Sequence, residues 1–353
     1  MNPPLRWGVL GVSELVGRKA VLPALQRSLT AELVAIGSRD PERARAEAAR
    51  FGAPRWYNDY GAVLADPEVE AVYLPLPNSL HLPWALAAAR AGKHVLCEKP
   101  LACNAAEARE IAAACQAGGV VLMEAYMTPF HPRSEAVLQI ARSGRLGALR
   151  FAHTAFTFTA SSPPPPPGFT AENAEIRSTI LSAPSAPSAV KTVNYRWLPE
   201  MGGGALLDVG IYCLTPLIAM AGREPVRVAA QSVTGPSGID VSFSGWLGFG
   251  DGFTASFEAS FEAPELQLLE VVGTEAHLVV ERAFTAGPAD TAINLAYRDG
   301  REETVTSAGN DPYQAMVEHF AAVVRGDATL LRTPADSIAM LELLDRLTGA
   351  GAS

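Results

Sequence analysis

Lysine is scarce in this 353-residue chain: Lys19, Lys93, Lys99 and Lys191 are the only ones among 28 basic residues, against 37 acidic ones. The formal charge of −9 and pI near 5.3 leave no basic stripe of the kind a nucleic-acid footprint requires, so no nucleic-acid partner is expected. Cysteine is as scarce. Cys97, Cys103, Cys115 and Cys213 are too few for a disulfide scaffold and fall at no metal-ligand spacing. His94, His153, His277 and His319 have no partners at such spacing either, and no metal is expected. No apolar run reaches the roughly 20 residues of a membrane span. Met1-Asn2-Pro3-Pro4 leads straight into an apolar strand, which is not the layout of a signal peptide. Charged residues make up only 18% and hydrophobic ones 48%, which excludes a disordered chain. The expectation is a soluble, reduced, cytoplasmic protein of about two domains.

The first 125 residues alternate short β runs with amphipathic helical runs. Strands are expected at Leu5–Leu10, Glu32–Ile36, Val69–Leu74, Lys93–Cys97 and Val120–Glu124, with helices between them. Asp40-Pro41-Glu42 reads as N-cap, first-turn proline and first-turn acid. Such alternation predicts βαβ units and a doubly wound parallel sheet. After a helix near Pro132–Ser143 the rhythm changes to consecutive strands: Leu149–Thr159, Val226–Val233, Val241–Phe249, Phe253–Phe261, Leu266–Val272 and His277–Glu281. These suggest a mainly antiparallel, open sheet in a second α/β domain. Helices near Pro312–Arg325 and Pro334–Leu347 close the chain. The domains expected are 1–128 and 129–353, with a proline-rich excursion at 161–190 read as a surface segment, or else as a lid or subunit-exchange arm near the site.

Gly8-Val9-Leu10-Gly11-Val12-Ser13-Glu14-Leu15-Val16-Gly17 stands at the first βα junction, where backbone N–H groups and a helix N-terminus favour an anion. Counted from Gly11, the dinucleotide fingerprint lacks its second and third glycines, which are Ser13 and Val16. Ser13 offers a hydroxyl to a phosphate. Glu14 is a departure, because a carboxylate there repels a pyrophosphate unless it points outward. The second strand ends in Gly37-Ser38-Arg39-Asp40. An acid at this place bonds a ribose 2′-OH, whereas arginine accommodates a 2′-phosphate. Ser38 and Arg39 suit the phosphate and Asp40 suits a helix cap, so NADP(H) is favoured, with NAD(H) as the alternative.

Glu98-Lys99-Pro100 ends another strand in the crevice where open α/β sheets place ligands. A lysine there can polarise a substrate oxygen; the plainer reading is a surface lysine at a strand end. Downstream, Gly202-Gly203-Gly204 precedes Asp208 and Tyr212, which are four apart and share one helical face.

Together these motifs resemble the glucose–fructose oxidoreductase / inositol dehydrogenase (Gfo/Idh/MocA) family. Pro77-Asn78-Ser79-Leu80-His81, Met123-Glu124-Ala125-Tyr126-Met127, Phe130-His131-Pro132 and Asn194-Tyr195-Arg196 resemble further family stretches, covering nearly the whole chain except the excursion. The resemblance implies an N-terminal Rossmann domain and a C-terminal substrate and oligomerisation domain, assembled as a homodimer or homotetramer. It implies cofactor contacts at Gly8, Gly11, Ser13, Glu14, Leu15, Ser38, Arg39, Leu76, Pro77, Asn78, His81, Glu98 and Lys99. Lys99, Asp208 and Tyr212 are the implied catalytic residues; these three, with Tyr126 and Arg196, would meet a sugar-like substrate. Tyrosine at 212, where inositol-dehydrogenase-like members have histidine, looks like the branch of glucose–fructose oxidoreductase, xylose dehydrogenase and dihydrodiol dehydrogenase. The expected activity is NADP-dependent hydride transfer at a secondary alcohol, ketone or anomeric carbon. The rivals are a trans-dihydrodiol dehydrogenase and a non-catalytic nucleotide-sensing regulator.

Overall fold

The computed structural model describes residues 2–14, 16–160 and 194–351; Leu15 and the excursion at 161–190 lie outside them. Strands β1 (Leu5–Leu10), β2 (Ala31–Gly37), β3 (Arg55–Tyr57), β4 (Ala71–Leu74), β5 (His94–Glu98) and β6 (Leu122–Ala125) form a parallel sheet. Its order is β3-β2-β1-β4-β5-β6, so the direction of winding reverses between β1 and β4. All four residues of β4 and of β6 are buried, as expected for strands covered on both faces.

Helices α1 (Leu22–Arg27), α2 (Pro41–Phe51), α3 (Tyr60–Ala65), α4 (His81–Arg90) and α5 (Ala105–Ala117) return between the strands. The caps are those the sequence supplies: the Asp40 carboxylate accepts from the Glu42 and Arg43 N–H groups at 3.0 and 3.2 Å, and Gly52 ends α2 at φ +71°. The three-residue β3 and α3 after it carry too little periodicity to be expected. Trp56 is 44% exposed on this edge strand, whereas Trp7 is fully buried.

The second sheet has the order β14-β13-β12-β11-β7-β10-β9-β8. Its strands are β7 (Leu149–Thr159), β8 (Arg227–Thr234), β9 (Asp240–Gly248), β10 (Thr254–Ser260), β11 (Glu262–Gly273), β12 (Ala276–Glu281), β13 (Thr291–Tyr297) and β14 (Glu302–Ser307). All pairs are antiparallel except β7 with β10. β13 and β14 extend it beyond the strands expected. Helices α6 (Pro132–Arg142) and α7 (Ile211–Ala221) pack on one face. The helical stretch Pro199–Ala221 is long and apolar enough to span a membrane by composition alone, but 67% of its most apolar window is buried inside the protein. It is a core segment.

The last two helices, α8 (Pro312–Arg325) and α9 (Pro334–Gly351), return to the first sheet. Phe320 of α8 packs on Trp7 with ring centres 5.0 Å apart, and Arg325 pairs with Glu70 at 3.1 Å. At the start of α9, Ser337 Oγ donates to buried Glu124 of β6 at 2.7 Å, beside an Arg332–Glu124 pair at 2.9 Å. The first sheet is therefore completed by helices from the chain end.

Candidate active site

The carboxyl ends of β1, β2, β4 and β5 open onto one crevice at the reversal point. Gly11 follows β1 at φ +87°, and a Cβ there would meet the Tyr60 hydroxyl at 3.0 Å and Leu76 at 3.1 Å. Only glycine makes this turn at this approach. Ser13 Oγ accepts the Gly17 N–H at 2.8 Å at the start of a π-helical turn (Gly17–Val21) and keeps its own proton to donate. Gly8 lies inside β1, packed on Val63 and Val69, rather than in the turn. Glu14 is exposed and engaged by two arginines. It pairs with Arg18 at 2.6 Å and Arg43 at 3.1 Å, and Arg43 also donates to the Val12 carbonyl at 2.6 Å.

Ser38 is buried at the end of β2 and Arg39 is exposed beside it, hydrogen-bonded to the Tyr60 hydroxyl. Arg43, one turn further into α2, reaches the same crevice. The sequence reading missed it.

The loop after β4 splits into two roles. Buried Leu76 borders the crevice beside Gly11, with partly buried Pro77 next in the chain. Asn78 and His81 are turned inward as struts. Asn78 Nδ2 donates to the Gly202 carbonyl at 2.7 Å, while the His81 ring nitrogens contact the Pro100 and Leu76 carbonyls at 2.9 Å each. Burial holds His81 below the usual histidine range. Together they tie the β4 loop to the lysine loop and to the glycine loop.

Lys99 follows β5 and is joined to Pro100 by a cis peptide bond. Its Nζ donates to the Asp208 carbonyl at 2.6 Å and to Asp208 Oδ1 at 2.9 Å; Arg196 Nε donates to Oδ2 at 2.6 Å. Burial pushes the Asp208 carboxyl upward, but Arg196 and Lys99 overcome it and hold the group well below the usual carboxylate range. Beside them, burial raises Glu98 to about 7, against the opposing Tyr73 hydroxyl and Lys99. Tyr73 donates to Glu98 Oε1 and was not anticipated, because a tyrosine inside a buried strand reads as core.

Lys99 Nζ also sits over the Tyr212 ring, 4.9 Å from its centre. The Tyr212 hydroxyl points instead to Met127 Sδ at 3.8 Å, a weak acceptor. Burial raises the Tyr212 pKa well above its ordinary value, with Tyr313, Tyr126, Glu98 and Asp208 adding to it. The Lys99 ammonium lies over the ring face, and its hydrogen bonds go to Asp208. Tyr212 is accordingly held protonated. Tyr126 stands behind it, fully buried with ring centres 5.2 Å apart, and Met127 is the residue that meets its hydroxyl.

The three glycines bring Arg196 and Asp208 together. A Cβ on Gly203 would stand 2.4 Å from the Arg196 carbonyl. One on Gly204, at φ +122°, would stand 2.1 Å from Asp240 Oδ1. Asp240 Oδ2 accepts the Leu206 N–H at 2.7 Å, anchoring the π-helical turn (Leu206–Gly210) that carries Asp208. Its position on a strand 32 residues beyond Asp208 hid this role from the sequence.

A glycine turn, a helix start and arginines face one end of this crevice, with a lysine–carboxylate–arginine cluster and a protonated tyrosine at the other. This is the constellation of a dinucleotide-dependent oxidoreductase. Residues 5–126 match the oxidoreductase family with an NAD-binding Rossmann fold named GFO/IDH/MocA, and residues 134–279 match that family's C-terminal domain. The chain belongs to this family. It is 35% identical over 343 residues to D-xylose 1-dehydrogenase (NADP(+)) 2 of Haloferax volcanii, covering 97% of this chain and 96% of the relative. It is 30% identical to trans-1,2-dihydrobenzene-1,2-diol dehydrogenase of Mus musculus over 82% of this chain and 78% of that one. A 3-ketoreductase from Actinomadura kijaniata, solved with NADP and TDP-benzene, superposes with a TM-score of 0.83 at 28% identity, covering 98% of each chain.

Proposed function

We propose that this oxidoreductase uses NADP(H) to interconvert a secondary alcohol or anomeric hydroxyl and the corresponding carbonyl of a sugar-like substrate. The observation that carries this is the cluster at the end of β5: two cations fixed on one buried carboxylate, one of them over the ring of a tyrosine whose hydroxyl has only a thioether as hydrogen-bond partner among the described residues. The crevice fits a dinucleotide, since the Gly11 turn leaves no room for a side chain and Ser38, Arg39 and Arg43 stand where a 2′-phosphate is read. When bound, the nicotinamide supplies or accepts the hydride. Tyr212 gives its proton to the substrate oxygen during reduction and recovers it during oxidation. Lys99 polarises that oxygen, and Asp208 keeps the ammonium in place. Arg196 shares the Asp208 carboxylate and can hold a second hydroxyl of the substrate.

Charged donors at the reacting end favour a polyol over an aromatic diol. The aromatic side chains nearby, Tyr126, Phe156 and Phe284, are buried behind Tyr212 rather than exposed as walls. The presence of both Lys99 and Tyr212 speaks against a non-catalytic sensor. Two variants test the mechanism. Tyr212→Phe and Lys99→Ala are expected to lower turnover at least ~100-fold, the low end for a positioned acid–base group, while NADPH still binds. Near-wild-type turnover in Tyr212→Phe, measured with aldoses and with a trans-dihydrodiol, removes Tyr212 as the donor.

A further inference from the structure

We propose that Glu14 limits the affinity and selectivity of the cofactor site by competing with the cofactor phosphates for Arg43. This rests on the crevice being an NADP site, as argued above. Glu14 is exposed at the tip of the first βα turn, at the position where backbone N–H groups and the helix start favour an anion. Its carboxylate is engaged at both oxygens, by Arg18 at 2.6 Å and Arg43 at 3.1 Å. The two arginines are not equivalent. Arg18 is anchored by the buried carboxylate of Glu47, which receives its other nitrogens. Arg43 has no ion pair except Glu14 among the described residues, and the remaining hydrogen bond of its side chain goes to the Val12 carbonyl in the same turn.

Arg43 therefore spans the distance between the end of β2, where Ser38 and Arg39 read the nucleotide, and the phosphate turn after β1. An arriving phosphate must share or take this guanidinium. The pair with Glu14 is solvent-exposed at both partners, with side-chain exposures of 35% and 63%, so it is weak enough to be displaced. What Glu14 adds is a fixed negative charge at the anion site, where the second fingerprint position already has serine in place of glycine. The charge weakens NADPH, which brings an extra phosphate to Arg43, more than NADH.

The test is calorimetric titration at low ionic strength with NADPH, NADH and adenosine 2′,5′-bisphosphate, a probe that carries the 2′-phosphate without the nicotinamide. Four proteins are compared: wild type, Glu14→Gln, Arg43→Ala and the double variant. Glu14→Gln is expected to bind NADPH and the bisphosphate about 2- to 5-fold more tightly, the range for one exposed charge contact, with a smaller gain for NADH. The gain should shrink at high salt and disappear in the Arg43→Ala background. Unchanged or weaker NADPH binding by Glu14→Gln overturns the proposal, because Glu14 would then be a strut for Arg43 or have no role. A gain that persists without Arg43 overturns it too, since the competition would not be for that residue. Wild-type protein that binds neither dinucleotide overturns the reading of the crevice itself, and the proposal with it.

Discussion

Asp208 and Glu98 are buried carboxyl groups near the same lysine, and their surroundings drive them in opposite directions. Asp208 faces two cations at hydrogen-bond distance and stays ionised. Asp208→Asn leaves Lys99 and Arg196 buried without that counter-charge, and is expected to cost about 3–5 kcal/mol in a urea titration at pH 7. The folded pKa of Asp208 lies below its unfolded value. Its stabilisation is therefore complete above roughly pH 4, declines progressively below that as the unfolded carboxyl takes up its proton, and is gone only once the folded carboxylate titrates, so the wild-type and Asp208→Asn curves converge only in strong acid. Glu98 has the reverse sign. With a folded pKa of about 7, it disfavours the native state progressively as pH rises from its unfolded value to about 7. In Glu98→Gln that slope is expected to vanish: the variant should gain stability relative to wild type across this window, as followed by urea midpoints at stepped pH.

Among the elements, the turn and helix carrying Asp208 and Tyr212 depend most on a few small residues. Gly204 combines a positive φ with contact to the Asp240 carboxylate, which anchors the Leu206 N–H. Gly204→Ala is expected to cost about 1–3 kcal/mol through backbone strain alone, and more if Asp240 is displaced. Lower turnover should accompany the lower melting temperature, because Asp208 shifts with its turn. A variant with wild-type melting and turnover would show that the loop tolerates a side chain. Periodicity made most other elements legible. β10, with Phe257 and Ala259 inward and Glu258 outward, alternates cleanly enough to be read directly. β13 and β14 escaped because one has short or polar outward residues at Ala292, Asn294 and Ala296 and the other begins with two glutamates, so neither looks like a buried strand in isolation. β3 is only three residues long, and pairing with β2 rather than local propensity forms it.

In the whole molecule, the chain end returns to lock the two sheets together. Buried Glu124 accepts from the Leu101 N–H, Arg332 and Ser337, and so links the loop after Lys99-Pro100 to α9. Opposite the face covered by α6 and α7, the second sheet carries Phe151, His153, Glu258, Leu266, Glu270 and His277, with Phe151 and Leu266 nearly half exposed. A second copy covering this face is the expected assembly. Light scattering should then give a multiple of 37.2 kDa, and Phe151→Arg combined with Leu266→Arg should shift it towards the single chain. A wild-type mass of one chain refutes it.

By itself the sequence determined the alternating strands and helices, the caps, the glycine turn and the family, because each is written in short-range periodicity or in contiguous motifs. It also singled out Lys99, Asp208, Tyr212 and Arg196. Only the tertiary structure decided how they meet: Lys99 on Asp208 and over the Tyr212 ring, the tyrosine hydroxyl on Met127, and Tyr126, Asn78 and His81 turned inward as supports. Burial and charge at each site depend on residues far apart in the chain, such as Asp240 beside Gly204 and Arg332 beside Glu124. A pattern of local residue types holds no record of such distances, and protonation states are set by them.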